Sequence, residues 1–330
     1  MTDKYGPADR VRAMYDRYPY PSPAVGDDLI LDLANVVGFA FPDEEFAGKT
    51  IVDFGCGTGH RLIALAQRYP GATVIGVDTT DAPLHVAREL ATRHGVGNVR
   101  FVDDDLLRFR HPGGADLVTA TGVLHHLEDP QAGFDSVAKN LNERGVAVIW
   151  LYHAIGEYFR ILDCELARLL SRADQYQDGL EVLGELGLSL STDQYGARSA
   201  HQREDGRNLS FDVDAYLHPL VRAFRFEDAI RMCRHAGLDW VCINGVNRTG
   251  ESKLLDPAGT AEDPYFCLRA EELFRTPGLV ERFQRLTLLE KLRAIEITWS
   301  PTGFTCIAGR GASLSTCDPR IRSGAIEKDE

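Results

Sequence analysis

Residues 49–59 (KTIVDFGCGTG) constrain this chain more than any other segment, because a β-branched apolar run ends in three spaced glycines and opens directly into a helical pattern. Ile51, Val52 and Phe54 favour a pleated backbone over a helical one. Leu62, Ile63, Leu65 and Ala66 then recur at helical spacing until Pro70 and Gly71 stop them. A strand that feeds straight into a helix does not return as a hairpin. It predicts crossover connections and a parallel sheet wrapped by helices.

The rhythm repeats through residue 152. Residues 73–78 (TVIGVD) read as a second strand, and a helix opens at Thr80 or Asp81, carries Pro83 in its first turn and stops near Gly95. Residues 99–103 and 115–120 read as strands three and four. Asp129-Pro130 starts a helix that runs to about residue 141, and residues 145–152 (GVAVIWLY) form a fifth strand, apolar on both faces. Beyond it the pattern changes: helices are predicted over 158–170, 178–186, 225–235 and 271–294, strands over 240–246 and 303–309, and a polar stretch over 191–208. Polar loops of that length belong to lids or flexible segments. Residues 318–330 read as a mobile tail.

Composition narrows the function. Lys+Arg 36 against Asp+Glu 49 leaves a net charge of −13, which opposes a nucleic-acid partner, since backbone binding relies on basic groups that release counterions. No run approaches the ~18 apolar residues of a membrane span, and residues 1–23 hold no apolar stretch fit for a signal peptide. The seven cysteines never form a CxxC pair, so neither a metal site nor a disulfide framework is expected, and the cytoplasm is the expected compartment.

Each strand of the first half ends in polar residues at one edge of the sheet, where ligands of open α/β sheets bind. Asp53 precedes the loop Gly55-Cys56-Gly57-Thr58-Gly59, Asp78 ends strand two, Asp103, Asp104 and Asp105 end strand three, and Thr121, Gly122 and Val123 follow strand four. A dinucleotide fingerprint would need glycine at position 60, where His60 stands, and this disfavours a nicotinamide oxidoreductase.

The segments VDFGCGTG (52–59), GVD (76–78), FVDDDLL (101–107) and TGVLHHLEDP (121–130), in that order and spacing, resemble the class I S-adenosylmethionine-dependent methyltransferases. The resemblance covers residues 45–155. It implies an α/β fold, a Rossmann-like seven-stranded sheet with helices on both faces, whose last strand, over 303–309, runs antiparallel. The sequence pattern divides the chain into a helical arm or cap (1–47), a cofactor core (48–153), a helical lid and acceptor-binding insertion (154–222), the rest of the core with a helical insertion (223–317) and a flexible tail (318–330). The implied cofactor is S-adenosyl-L-methionine, leaving as S-adenosyl-L-homocysteine. Its methionine part would lie over Gly55–Gly59 (Cys56 included) with Asp53 near its amino group. Asp78, followed by Thr79, would hold the ribose diol. Asp105 would face the adenine amino group with the Leu106 backbone beside the ring, Asp103 and Asp104 competing for that contact. Thr121, Gly122 and Val123 would floor the sulfonium.

Catalytic candidates follow from what methyl transfer needs. Alignment can supply most of the rate, and a hydroxyl acceptor needs a base. His126, with His125 beside it, is the candidate base. Tyr18 and Tyr20 lie in an arm segment forced into an extended path by Pro19 and Pro21, and Tyr152 leaves strand five at the reactive edge. His153, Tyr158, Tyr216 and His218 are further candidates to reach the pocket, whereas His201 is expected to face solvent. The long lid and tyrosine-rich arm predict an enclosed cavity for a small-molecule acceptor, without nucleic acid or membrane, oligomeric state open. The alternatives are a protein- or tRNA-modifying methyltransferase and a non-catalytic cofactor-binding module.

Overall fold

The computed structural model describes residues 6–21, 25–172, 175–188, 209–248, 250–256 and 267–328. Helices α1 (Pro7–Arg17) and α2 (Asp32–Ala40) precede strand β1 (Thr50–Phe54). Then α3 (His60–Arg68), β2 (Thr73–Asp78), α4 (Asp81–Arg93), β3 (Val99–Asp103), β4 (Ala115–Thr121), α5 (Pro130–Lys139) and β5 (Leu141–Tyr152) alternate as the hydrophobic pattern requires. The Asp129 carboxylate accepts from the Ala132 amide and Pro130 occupies the first helical position, which fixes the start of α5.

After β5 come α6 (Tyr158–Leu170), α7 (Tyr176–Leu186) and α8 (Leu209–Asp212), the last running into a π-helical turn over Val213–Leu217. The chain then forms α9 (Phe226–His235), β6 (Trp240–Arg248), β7 (Glu251–Leu254), α10 (Ala270–Leu273), α11 (Pro277–Gln284), α12 (Leu288–Trp299), β8 (Gly303–Gly309), α13 (Pro319–Ser323) and β9 (Ala325–Glu327). The helical stretch expected over 271–294 is three helices. Pro277 opens α11, and a reciprocal cap between Thr287 and Glu290 opens α12.

The strands run in the order β3-β2-β1-β4-β5-β8-β6-β7, and β9 pairs with β6. Pairings among β1 to β5 are parallel, while β8 lies antiparallel between β5 and β6. The sheet has nine strands rather than the expected seven. The additions are β7, which returns on β6 as a hairpin, and β9. The mobile tail expected over 318–330 is also corrected. Asp318 caps α13, Ile321 and Ile326 are buried, and β9 hydrogen-bonds along β6. Two apolar anchors, Ile321 and Ile326, hold this segment, which composition alone does not reveal.

The two sheet faces carry separate cores. Val52, Phe54, Ile75, Val77, Ile149 and Leu151 pack under α5, α9 and α12. Ile51, Val74, Leu117, Val148 and Ile307 pack under α2, α3 and α13. This alternation is the period-two register of buried strands. A third cluster joins Met14 of α1 to Cys164 and Ala167 of α6, Leu180 and Leu183 of α7, and Val213 and Ala215 of the π turn. The arm and the insertion after β5 therefore share one core of their own. The expectation for residues 191–208, His201 among them, lies outside the described residues.

Candidate active site

One cavity of about 1560 Å³ opens along the carboxyl ends of the central strands and continues over β5 and β8 to the β6–β7 hairpin. The glycine loop forms one wall. Gly55 and Gly57 have φ of 66° and 51°, a left-handed conformation that glycine adopts without steric cost. A Cβ on Gly55 would meet the Val123 side chain at 2.5 Å, and one on Gly57 would lie 2.9 Å from the Tyr20 carbonyl oxygen. The Gly57 amide donates to Asp78 Oδ2 at 2.9 Å and the Thr80 amide to Oδ1 at 3.0 Å. Burial raises the Asp78 pKa while these amides oppose the rise. Asp53, at the end of β1, accepts from the Thr119 hydroxyl at 2.5 Å, and burial pushes its pKa up to about 7.

The arm is laced directly onto this loop. The Tyr20 carbonyl accepts from the Thr58 amide at 3.3 Å and the Thr58 hydroxyl at 3.0 Å, and the Tyr20–Pro21 bond is cis. His60, at the position a dinucleotide fingerprint reserves for glycine, is buried. It contacts the Thr58 hydroxyl at 2.7 Å and donates to the Gly26 carbonyl at 2.9 Å, tying residue 26 to the start of α3.

Asp53, Gly55, Cys56, Gly57, Asp78, Thr79, Asp104, Asp105, Leu106, Thr121, Gly122, Val123, Tyr20, His126 and Tyr152 all border the cavity. Gly59 does not. A Cβ there would meet Ala87 at 2.9 Å, so its role is the close approach of α3 and α4. Asp103 also stays outside, exposed, with its carboxylate 3.8 Å from the Arg12 guanidinium. Tyr18 corrects the sequence reading as well: α1 continues to Arg17, and the Tyr18 ring meets Tyr176 of α7 edge-on at 5.6 Å rather than facing the cavity.

The histidines separate by environment. His126 donates Nδ1–H to the Leu220 carbonyl at 2.7 Å, which leaves its lone pair on Nε2. Burial lowers its pKa, Asp214 and the Leu220 carbonyl oppose this, and Arg160 adds to the lowering. His125 is fully buried against Tyr152, ring centroids 4.1 Å apart, with neither nitrogen hydrogen-bonded, and burial lowers its pKa far below the usual value. His218 lies outside the cavity lining, stacked on His126 at 3.7 Å and 25°. His153 contacts Glu296 Oε1 through Nε2 at 2.9 Å and belongs to the core, and Tyr158 is more than half exposed and does not border the cavity.

Sequence reasoning missed Tyr15, Glu157, Arg160 and Asp214 as site residues; all four border the cavity, as does the expected Tyr216. The Tyr15 hydroxyl donates to Asp214 Oδ1 at 2.6 Å across 199 residues of sequence. Arg160 pairs with Glu157 and lies over the Tyr152 ring, 4.5 Å from its centroid. A side-chain donor atom from each of His126, Asp214 and His218 lies within 4.8 Å of the others, a spacing a metal ion could use. However, His218 Nδ1 accepts from the Leu220 amide at 3.0 Å, so its neutral ring carries the proton on Nε2 and keeps no lone pair for an ion. These groups suit proton handling better than metal binding.

The cleft fits an adenosyl cofactor without a phosphate. Asp78 retains lone pairs beyond its two amide contacts for a ribose diol, and the loop at Gly55 and Gly57 has no room for side chains. Residues 45–178 match a family described as a methyltransferase domain. An uncharacterized protein of Synechococcus sp. is 28% identical over 285 residues, 82% of this chain and 68% of that protein. A ubiquinone biosynthesis O-methyltransferase of Pseudomonas paraeruginosa is 42% identical over 85 residues, 26% of this chain and 36% of the relative. A trans-aconitate 2-methyltransferase of Afipia carboxidovorans is 28% identical over 220 residues, 66% of this chain and 75% of the relative. Among solved structures, PKMT2 from Rickettsia typhi in complex with AdoHcy superposes with a TM-score of 0.57 at 15% identity, covering 90% of this chain and 57% of that one. The chain thus spans about a third of the ubiquinone relative and just over half of the Rickettsia protein. Strand order, matched domain and relatives agree: residues 45–178 form a methyltransferase domain, and S-adenosylmethionine is its cofactor.

Proposed function

We propose that the cleft transfers a methyl group to an oxygen of a small-molecule acceptor, with His126 as general base. The observation that carries this reading is the neutral His126 ring, its tautomer set by the Leu220 carbonyl and its Nε2 lone pair free on a ring that borders the cavity. In the alternative tautomer the lone pair would face a carbonyl oxygen. Two of the named relatives, the ubiquinone biosynthesis O-methyltransferase and the trans-aconitate 2-methyltransferase, support an acceptor of this kind.

When bound, the cofactor supplies an electrophilic methyl carbon, and the methyl–sulfur electron pair leaves with sulfur. The residues of this chain do the rest. Asp78 holds the ribose, Asp53 the cofactor's amino group, and Asp104, Asp105 and Leu106 the adenine; Gly55, Cys56 and Gly57 permit close approach, with Thr79, Thr121, Gly122 and Val123 beneath. His126 takes the acceptor's hydroxyl proton as its oxygen attacks. Tyr20 and Tyr152 orient the acceptor, while the arm (1–47) and the insertion (154–222) exclude water. Excluding water and fixing geometry are worth roughly 7–11 kcal/mol in favourable cases, so His126 refines an alignment the cleft already provides. Calorimetric titration tests the cofactor site: micromolar S-adenosylmethionine and S-adenosylhomocysteine binding is expected, lost in Asp78→Ala, with none for NADH. A panel of phenols, enols and carboxylic acids then tests the acceptor. His126→Gln is expected to lower kcat on phenols about 10²–10⁴-fold with little change in KM. Unchanged kcat would reject the base.

A further inference from the structure

We propose that Asp214 and Tyr15 act as positioning residues for His126, Asp214 by lying beside its ring and Tyr15 by holding the Asp214 carboxylate, so that the N-terminal helix, the β4 turn and the π turn together set the base. This rests on His126 being the base.

Three distant segments meet here. Tyr15 lies on α1, His126 just after β4, and Asp214 in the π turn that follows α8. The Tyr15 hydroxyl donates to Asp214 Oδ1 at 2.6 Å, and Tyr15, His126 and Asp214 all border the cavity. Donor atoms of Asp214, His126 and His218 lie within 4.8 Å of one another, and all three residues are buried. His218 Nε2 is buried without a hydrogen-bond partner, while its Nδ1 takes the Leu220 amide. The Leu220 peptide therefore sets both histidines, its carbonyl taking the proton side of His126 and its amide the lone-pair side of His218. A π turn displaces side chains from α-helical positions and recurs at functional sites.

The charges around His126 decide what its protonation requires. Asp214 favours the imidazolium and Arg160 opposes it. His125 and His218, both in ring contact, are held neutral by burial, and Tyr152 meets the His126 ring edge-on at 5.9 Å. When the acceptor's proton moves to His126 Nε2, the acceptor oxygen keeps the pair that forms the new bond, and the imidazolium appears beside the Asp214 carboxylate. Asp214 thus neutralises the charge created at the base. The Tyr15 hydrogen bond draws on the same carboxylate and so moderates that neutralisation.

The test is an NMR titration of the His126 Cε1–H resonance in the full chain, assigned with His126→Gln. In Asp214→Asn the His126 midpoint is expected to fall by about one pH unit, with partial return in Asp214→Glu. In Tyr15→Phe, which keeps the ring against His218, the midpoint is expected to rise. An unmoved midpoint in Asp214→Asn, or a midpoint that stays or falls in Tyr15→Phe, overturns the proposal. Should Asp214→Asn fail to fold, the Tyr15→Phe result decides alone. Methyl transfer by His126→Gln is read separately, so loss of the base assignment and loss of the coupling give different results.

Discussion

Asp53 is 4% exposed, and burial outweighs the hydrogen bond it accepts from the Thr119 hydroxyl and pushes its pKa up to about 7. In the role proposed for it, Asp53 must be ionised to meet the cofactor's ammonium. Affinity for S-adenosylmethionine is therefore expected to fall as pH drops from about 8 to about 6, and binding below about pH 7 to release a proton. Calorimetry in buffers of different ionisation enthalpy measures both, and Asp53→Asn is expected to remove the pH dependence while weakening binding at high pH. For folding the sign is the opposite of a salt-bridged acid. The raised native pKa makes ionisation of Asp53 a progressive penalty from about pH 4 up to about 7, constant above that. Asp53, Asp78 and the glycines were legible in the sequence because each sits at a strand end within a short local pattern. Tyr15, Arg160 and Asp214 were not, since what unites them is packing between residues as far as 199 apart. Tyr18 misled because Pro19 marks the end of a helix without saying which way its last tyrosine turns.

Among the elements, α12 shows how one side chain joins three parts of the fold. Glu296 is 3% exposed, contacts His153 at the end of β5 at 2.9 Å, accepts the Phe226 amide at the start of α9 at 2.6 Å, and pairs with Arg225 at 2.5 Å. These partners hold its pKa down at about 2 despite burial. Glu296→Ala leaves the buried Phe226 amide and His153 without their acceptor, and a loss of about 1–3 kcal/mol is expected in denaturant unfolding. Because the native pKa is depressed, the stability Glu296 brings is full above about pH 5 and is lost as pH falls toward 2. The C-terminal elements make a second case. Ile321 is fully buried on the face shared with α2 and α3, so Ile321→Ala is expected to destabilise by about 2–5 kcal/mol. A mobile tail would leave the unfolding midpoint unchanged. Strands β1 to β4 and β8 were readable from apolar runs bounded by turns. Strands β7 and β9 were not, because four and three residues are too few to show alternation and their pairing belongs to β6.

At the scale of the molecule, helix α1 and the insertion after β5 share one small core apart from those on the two sheet faces. Met14 is fully buried between α1 and the α6–α7 pair. Met14→Ala is expected to raise hydrogen exchange in α1, α6 and α7 together while β1 to β5 keep their protection, and exchange rising in α1 alone would show that the arm moves by itself. The fold class could be read from the first half of the chain, whose alternation is local. The sheet's far side could not, because its order interleaves the last long strand between two earlier ones. That interleaving reaches into how the protein is made. Strand β8 alone bridges β5 and β6, and about 54 residues (249–302) separate the end of β6 from its start. At roughly 5–20 residues per second of synthesis, a nascent chain spends roughly three to eleven seconds with β5 bare along one edge and β6 joined only to its own hairpin. Unpaired apolar edges of that kind seed association between neighbouring chains on a polysome, so the yield of this protein depends on translation speed and on holding chaperones more than its finished stability would suggest.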